Sequence, residues 1–95
     1  MYKRQIKNLK ADYYGGMQFS WNKISDADGY QIQYCKSLKF KSGVKKDIKS
    51  ENDTYASYSG LSHRKKYYVR MRAYVNVQGT TKYSKWSKVK VVKIK

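Results

Sequence analysis

The chain has 95 residues, enough for one domain with a modest core and too few for a core combined with an elaborate catalytic cleft. Its 22 basic and 6 acidic residues give a formal charge of +16, which bears on solubility and on attraction to polyanions but not on fold. No run of about 18 apolar residues is present, so no transmembrane segment is predicted. The one cysteine, Cys35, rules out an internal disulfide framework.

The first half of the chain consists of short runs that alternate apolar and polar residues between turn residues, a pattern typical of β-strands. The first predicted strand runs from Ile6 to Ala11 and the second from Met17 to Trp21. The third alternates Tyr30 and Ile32, on its buried face, with polar residues. The lysine-rich stretch from Val44 to Lys49 is predicted to be an edge strand that its charge protects from pairing with other chains.

The second half continues the same pattern. A fifth strand is predicted at Tyr55–Ser59, and the longest strand at Lys66–Val77, where Tyr67, Val69 and Met71 lie on the buried face. A hairpin loop and a final strand from about Lys88 to Ile94 follow. Seven strands with a turn signal about every ten residues predict an all-β, antiparallel, immunoglobulin-like β-sandwich.

The order and spacing of these residues resemble a fibronectin type III domain over essentially the whole chain. The matching positions are Ile6-x-x-Leu9, Trp21, Tyr30-x-Ile32-x-Tyr34, Ser59-Gly60-Leu61, Tyr67 and Val69-x-Met71-x-Ala73. The resemblance implies a structural core made of Trp21, Tyr30, Ile32, Leu61, Tyr67, Val69 and Met71. It also implies that the hydroxyl of Tyr67 bonds to the backbone near Leu61. The phrases Ala27-Asp28-Gly29-Tyr30 and Tyr67-Tyr68-Val69-Arg70-Met71-Arg72-Ala73-Tyr74 look like the version found in tandem on Gram-positive surface and secreted proteins.

Tyr83-Ser84-Lys85-Trp86-Ser87 resembles the Trp-Ser-x-Trp-Ser box of cytokine-receptor type III domains, with a tyrosine in place of the first tryptophan. That resemblance implies a ladder in which Arg70 and Arg72 alternate with the rings of Tyr83 and Trp86. The ladder has two possible roles. It either stabilises the sheet or belongs to a platform for sugars or polyanions. The residues of the predicted platform are Tyr68, Arg70, Arg72, Tyr74 and Trp86.

Catalytic and metal-binding readings have little support in the sequence. Cys35 and His63 are the residues from which a thiolate pair would be built, but the strand map places them far apart. Asp26 and Asp28 share one turn and are explained by turn formation and hydration. Because no zinc spacing or glycine-rich phosphate loop occurs, we predict no catalytic residues, no metal, no cofactor and no enzyme activity.

These observations predict one module over residues 1–95, taken from a larger multidomain protein. We expect an extracellular, non-catalytic spacer or interaction domain at the cell wall or surface of a bacterium, with no signal peptide because the chain is a fragment. The expected partners are neighbouring domains, anionic wall polymers, glycans or surface proteins. Nucleic acid is disfavoured because the lysines are spread along the chain instead of forming one basic block. The alternative is a carbohydrate-binding or polyanion-binding accessory module of a secreted enzyme.

Overall fold

The structure, a computed structural model, describes residues 6–41 and 43–95. The remaining residues of the predicted module, 1–5 and 42, lie outside the described part. The described residues form eight strands: β1 (Lys7–Ala11), β2 (Met17–Ser20), β3 (Gly29–Cys35), β4 (Lys45–Ser50), β5 (Tyr55–Tyr58), β6 (Lys66–Val77), β7 (Thr80–Tyr83) and β8 (Lys90–Lys93).

The strands form two antiparallel sheets that pack face to face. One sheet has the order β1-β2-β5, and the other has the order β4-β3-β6-β7, with β8 also paired to β6. The predicted all-β sandwich is confirmed, and lysine-rich β4 lies at a sheet edge as expected. No helix among the described residues is long and apolar enough to cross a membrane.

The strand count differs from the prediction at the end of the chain, where the structure has two short strands instead of one. β7 pairs with the last part of β6, and β8 pairs with its first part, from Lys66 to Val69. Between them the chain does not follow a regular ladder, because two serine hydroxyls take part in its bonds to β6. The β6–β7 hairpin turns through Gln78 and Gly79, whose φ angles of 49° and 80° are both positive, as a type I′ turn requires.

The core lies between the two sheets and consists of the inward-facing side chains of alternating residues. Trp21, which follows β2, is 3% exposed and packs edge-on against Tyr30, with ring centroids 5.5 Å apart. The other predicted core residues Ile32, Tyr67, Val69 and Met71 are also buried. Leu61 is only half-buried and packs at the rim of the core, because β5 ends at Tyr58 and the chain has already left the sheet.

Tyr67 fastens the connection between β5 and β6. Its ring is buried, and its hydroxyl accepts a hydrogen bond from the backbone N–H of Ser62 at 2.8 Å. The N–H of Leu61 is bonded to the carbonyl of Gly15 at 2.9 Å, in the β1–β2 loop. These two bonds, one to a side chain and one between backbone groups, both help to hold the crossing between the two sheets.

The strand register places the two ends of the described chain at opposite poles of a body that measures 43 × 25 × 21 Å. At the first pole Lys7 of β1 pairs with Ser20, which pairs with Tyr55 at the start of β5. Because β5 and β6 are linked at the other pole, Lys66 begins β6 there, and its partner Lys93 ends β8. We call these ends the N-terminal pole and the C-terminal pole.

Candidate interaction surface

The segment Ser84–Ser87 replaces part of a regular strand with bonds from serine side chains. The N–H of Ser84 donates to the carbonyl of Ala73, and its hydroxyl accepts from the N–H of Ala73, both at 2.9 Å. Ser87 makes the same pair of bonds to Met71, at 2.7 Å and 3.0 Å. The step of three residues from Ser84 to Ser87 thus lies against a step of two residues from Ala73 to Met71. The backbone groups of Met71 and Ala73 are satisfied without a regular strand opposite them.

This segment places one tryptophan ring between two arginines. The guanidinium of Arg70 lies 4.1 Å from the ring centroid of Phe40 and 4.2 Å from that of Trp86. The guanidinium of Arg72 lies 4.2 Å from Trp86 and 3.8 Å from Tyr83. The five side chains form one stack, which we call the ladder, and each guanidinium in it has an aromatic ring on both faces.

Glutamines of the neighbouring strand β3 hold the edges of both guanidiniums. Arg70 donates from Nε and Nη2 to Oε1 of Gln33, at 2.9 Å and 2.7 Å. Arg72 donates from Nε to Oε1 of Gln31 at 2.7 Å. The register makes these contacts possible, since each glutamine lies directly opposite its arginine on the same face of the sheet.

The ladder keeps two positive charges close together without a carboxylate in the stack. Burial lowers the pKa of Arg70 from its usual range, and repulsion by Arg72 lowers it further. The Trp86 ring between the two guanidiniums offers a negative face to each of them, which offsets part of that repulsion. The arrangement is chemically suited to fastening the Ser84–Ser87 segment onto β6.

The other two residues of the predicted platform lie beside the ladder. Tyr74 packs edge-on against Tyr83, with ring centroids 6.3 Å apart. Its hydroxyl lies so close to Gly29 that a Cβ atom at position 29 would collide with it. Tyr68 is half-buried on β6, opposite Cys35. The structure therefore brings all five platform residues to one sheet face, with Arg70 and Arg72 already in contact on several sides.

Phe40 is the member of the ladder that sequence reasoning missed. It lies in the β3–β4 loop with a φ of 53°, and its N–H donates to the carbonyl of Ser37 at 3.1 Å. The turn folds the loop back over the outer face of the sheet, so that the Phe40 ring meets the guanidinium of Arg70. The one signal that could have indicated this contact is that Phe40 is a single aromatic residue within a lysine-rich loop.

The family model of the fibronectin type III domain matches residues 5–90. The chain belongs to the fibronectin type III family. Domains of this family are generally structural or interaction modules and are generally non-catalytic. No curated protein sequence matches the chain.

Solved structures of fibronectin type III domains share the fold at low sequence identity. The FN1–FN3 domains of chicken CNTN1 match with a TM-score of 0.77 at 16% identity, over 95% of this chain and 29% of that one. The fn3 domain of human contactin 1 matches with 0.78 at 13% identity, over 96% and 74%. A Fn3-like protein from Clostridium thermocellum matches with 0.69 at 14% identity, over 96% and 88%. This module thus spans less than a third of the chicken structure, and these likenesses show the fold alone.

The residues considered for catalysis make separate contacts in this fibronectin type III module. Cys35 is the last residue of β3, is 2% exposed, and donates from Sγ to the carbonyl of Ser37 at 3.1 Å. His63 is exposed in the β5–β6 loop, where Nδ1 lies 2.6 Å from the carbonyl oxygen of Lys95. Asp28 accepts a bond from the N–H of Asn76 at 2.6 Å, which ties its turn to β6. Across residues 6–41 and 43–95 no group of three or more potential metal ligands occurs.

Proposed function

We propose that this chain is a non-catalytic module of a larger extracellular protein of a bacterial surface, where it separates neighbouring domains and contacts anionic polymers of the cell wall. The observation that carries the proposal is the combination of a rigid sandwich, whose chain enters and leaves at opposite poles, with a strongly cationic surface. Both parts of this function are mechanical or electrostatic and require no reactive side chain.

The spacer role is supported by the register. Because β1 begins at the N-terminal pole and β8 ends at the C-terminal pole, a domain before the module and a domain after it are held apart by the long dimension of 43 Å. The ladder and the Tyr67 contact reinforce the two irregular parts of the fold, the β7–β8 segment and the β5–β6 loop. A spacer of this kind fixes the distance between the domains on either side of it.

The contact with wall polymers is supported by charge. The formal charge of +16 belongs to a chain whose one ion pair within the described residues joins Lys49 and Asp47 at 3.5 Å. Most of the lysines are therefore free to interact with phosphate groups, which dominate the surface chemistry of anionic wall polymers. A carbohydrate platform is less well supported, since Arg70 and Arg72 already have rings on both faces and glutamines at their edges.

Two measurements test the proposal. Sedimentation of the module with purified Gram-positive cell walls should show binding at low ionic strength, with affinity that falls linearly as log salt concentration rises. Small-angle scattering of two copies joined in tandem should show an extended shape, with the copies end to end. Absence of wall binding at low salt would refute the wall-contact role, and a compact side-by-side tandem would refute the spacer role.

A further inference from the structure

Five of the cations at the C-terminal pole come from three adjoining parts of the chain. They are contributed by the β5–β6 loop, the start of β6, the end of β8 and the residue that follows it. All five are exposed, and we call them the basic pole: Arg64, Lys65, Lys66, Lys93 and Lys95.

The register places two of these lysines directly against each other. Lys66 and Lys93 are cross-strand partners, so their side chains leave the same face of the sheet. Like charges at directly opposite positions destabilise an antiparallel pair. Protection of a sheet edge explains Lys93, on the outer strand β8. Lys66 is paired to β8 on one side, and on its other side it lies just beyond the β3 ladder, which ends at the pair of Cys35 and Tyr68.

No carboxylate side chain relieves this repulsion within the described residues, where no ion pair involves a member of the basic pole. Asp12 is the acidic residue of the β1–β2 loop at this pole, and its Oδ1 already accepts bonds from the N–H groups of Tyr14 and Gly16, at 2.7 Å and 3.0 Å. Four of the remaining five carboxylates lie in the turns of the other pole: Asp26, Asp28, Glu51 and Asp53. The acidic residues are therefore concentrated at the N-terminal pole, and the C-terminal pole carries the basic pole with few carboxylates near it.

The backbone that carries the basic pole is held in place. The N–H of Arg64 donates to the carbonyl of Ile94 at 2.8 Å, and the N–H of Ile94 donates to the carbonyl of Lys65 at 2.9 Å. The ammonium of Lys95 lies 4.2 Å from the ring centroid of Tyr13. The cations are thus presented from an ordered surface, so a ligand need not order the backbone that bears them.

We propose that the basic pole is where this module binds a linear phosphodiester polymer of the cell wall. The inference rests on the proposed function and assigns the wall contact to one end of the sandwich instead of to its whole surface. Phosphates spaced along a flexible polymer can neutralise several of these cations at once, including the opposed pair on β6 and β8. Single-stranded nucleic acid is the competing ligand, because Tyr13 and Tyr14 in the β1–β2 loop of this pole are 82% and 89% exposed and offer ring faces for stacking. The test below therefore compares the two ligands directly.

The test uses poly(glycerol phosphate) as the probe and compares two double variants of equal charge. Lys66→Gln with Lys93→Gln removes the opposed pair of the basic pole. Lys7→Gln with Lys82→Gln removes two exposed lysines near the N-terminal pole. Binding is measured by titration calorimetry at low salt, and thermal melts check that each variant is folded.

At roughly fivefold in affinity for each lysine near an anionic surface, the basic-pole variant should lose about 25-fold, and the control variant should stay within about twofold of the parent. The melting temperature of the basic-pole variant should equal or exceed that of the parent without polymer, because a repulsion has been removed. Equal losses in both variants would overturn the assignment to this pole while leaving wall binding intact. Tighter binding of single-stranded DNA than of the polymer would overturn the choice of ligand. A parent that binds neither walls nor polymer would instead refute the proposed function.

Discussion

The replacement of Trp86 by alanine tests whether the ladder stabilises the sheet. The change removes a ring that contacts Arg70 and Arg72, each at 4.2 Å. A cation–π contact contributes about 0.5–1 kcal/mol where it is exposed and more where water is excluded. Two such contacts, together with the packing of a half-buried ring, amount to about 2 kcal/mol. In a domain of this size, that corresponds to a decrease of about 10 °C in melting temperature.

Urea and thermal unfolding, followed by circular dichroism, would measure this loss. Lys85→Ala is the matched control, since the Lys85 side chain is exposed within the same segment and belongs to no ladder contact in the described part of the chain. A double-mutant cycle between Trp86→Leu and Arg70→Met should give a coupling energy of about 0.5–1 kcal/mol, because leucine keeps apolar bulk but has no ring face. If Trp86→Ala melts like Lys85→Ala, or if the coupling energy is zero, the ladder does not stabilise the sheet.

Three further predictions concern the core and the buried tyrosines. Trp21→Ala should cost about 3–5 kcal/mol, enough to unfold a small domain, and a melt like that of the parent would contradict its central position. Tyr67→Phe should cost about 0.5–1.5 kcal/mol, because it removes the hydrogen bond from the N–H of Ser62, an exposed residue to which water has access. Chemical denaturation would detect this loss, and an unchanged free energy of unfolding would mean that the hydroxyl is dispensable. Burial raises the pKa of Tyr58 above its usual value of 10.0, and the hydrogen bond that Tyr58 donates to Asp47 at 2.8 Å raises it further. As pH rises, the hydroxyl therefore loses its proton in the unfolded chain at a lower pH than in the folded chain. The free energy of unfolding should therefore fall as pH rises above about 10, and Tyr58→Phe should remove that part of the decline; an equally steep decline in the variant would refute the assignment.

The sequence was sufficient for the sandwich because its strands are half-buried and alternate with a period of two. Val69 and Met71 lie inside and Arg70 and Arg72 outside, as the alternation required. Only the resemblance to the Trp-Ser-x-Trp-Ser box predicted that Trp86 lies beside the arginines. No local pattern specifies which ring stacks on which guanidinium.

What the sequence did not specify depends on contacts between distant residues. The final strand is divided because the hydroxyls of Ser84 and Ser87 bond to β6, and a serine has no local signature that distinguishes this use from an exposed position. Phe40 reaches Arg70 through a loop of positive φ, which strand periodicity does not register. The opposition of Lys66 to Lys93 is visible only once the register of β6 and β8 is known.

The central claim is that this module binds its wall ligand through surface charge and that the ladder serves the fold. The most direct measurement is the affinity of the Trp86→Leu variant for poly(glycerol phosphate), taken beside the parent at about 50 and about 200 mM salt, at a temperature where both are folded. We expect affinities within about twofold of each other at each salt concentration, and the same decline with salt. A Trp86→Leu protein that loses binding, or parent binding that ignores salt, would contradict the claim.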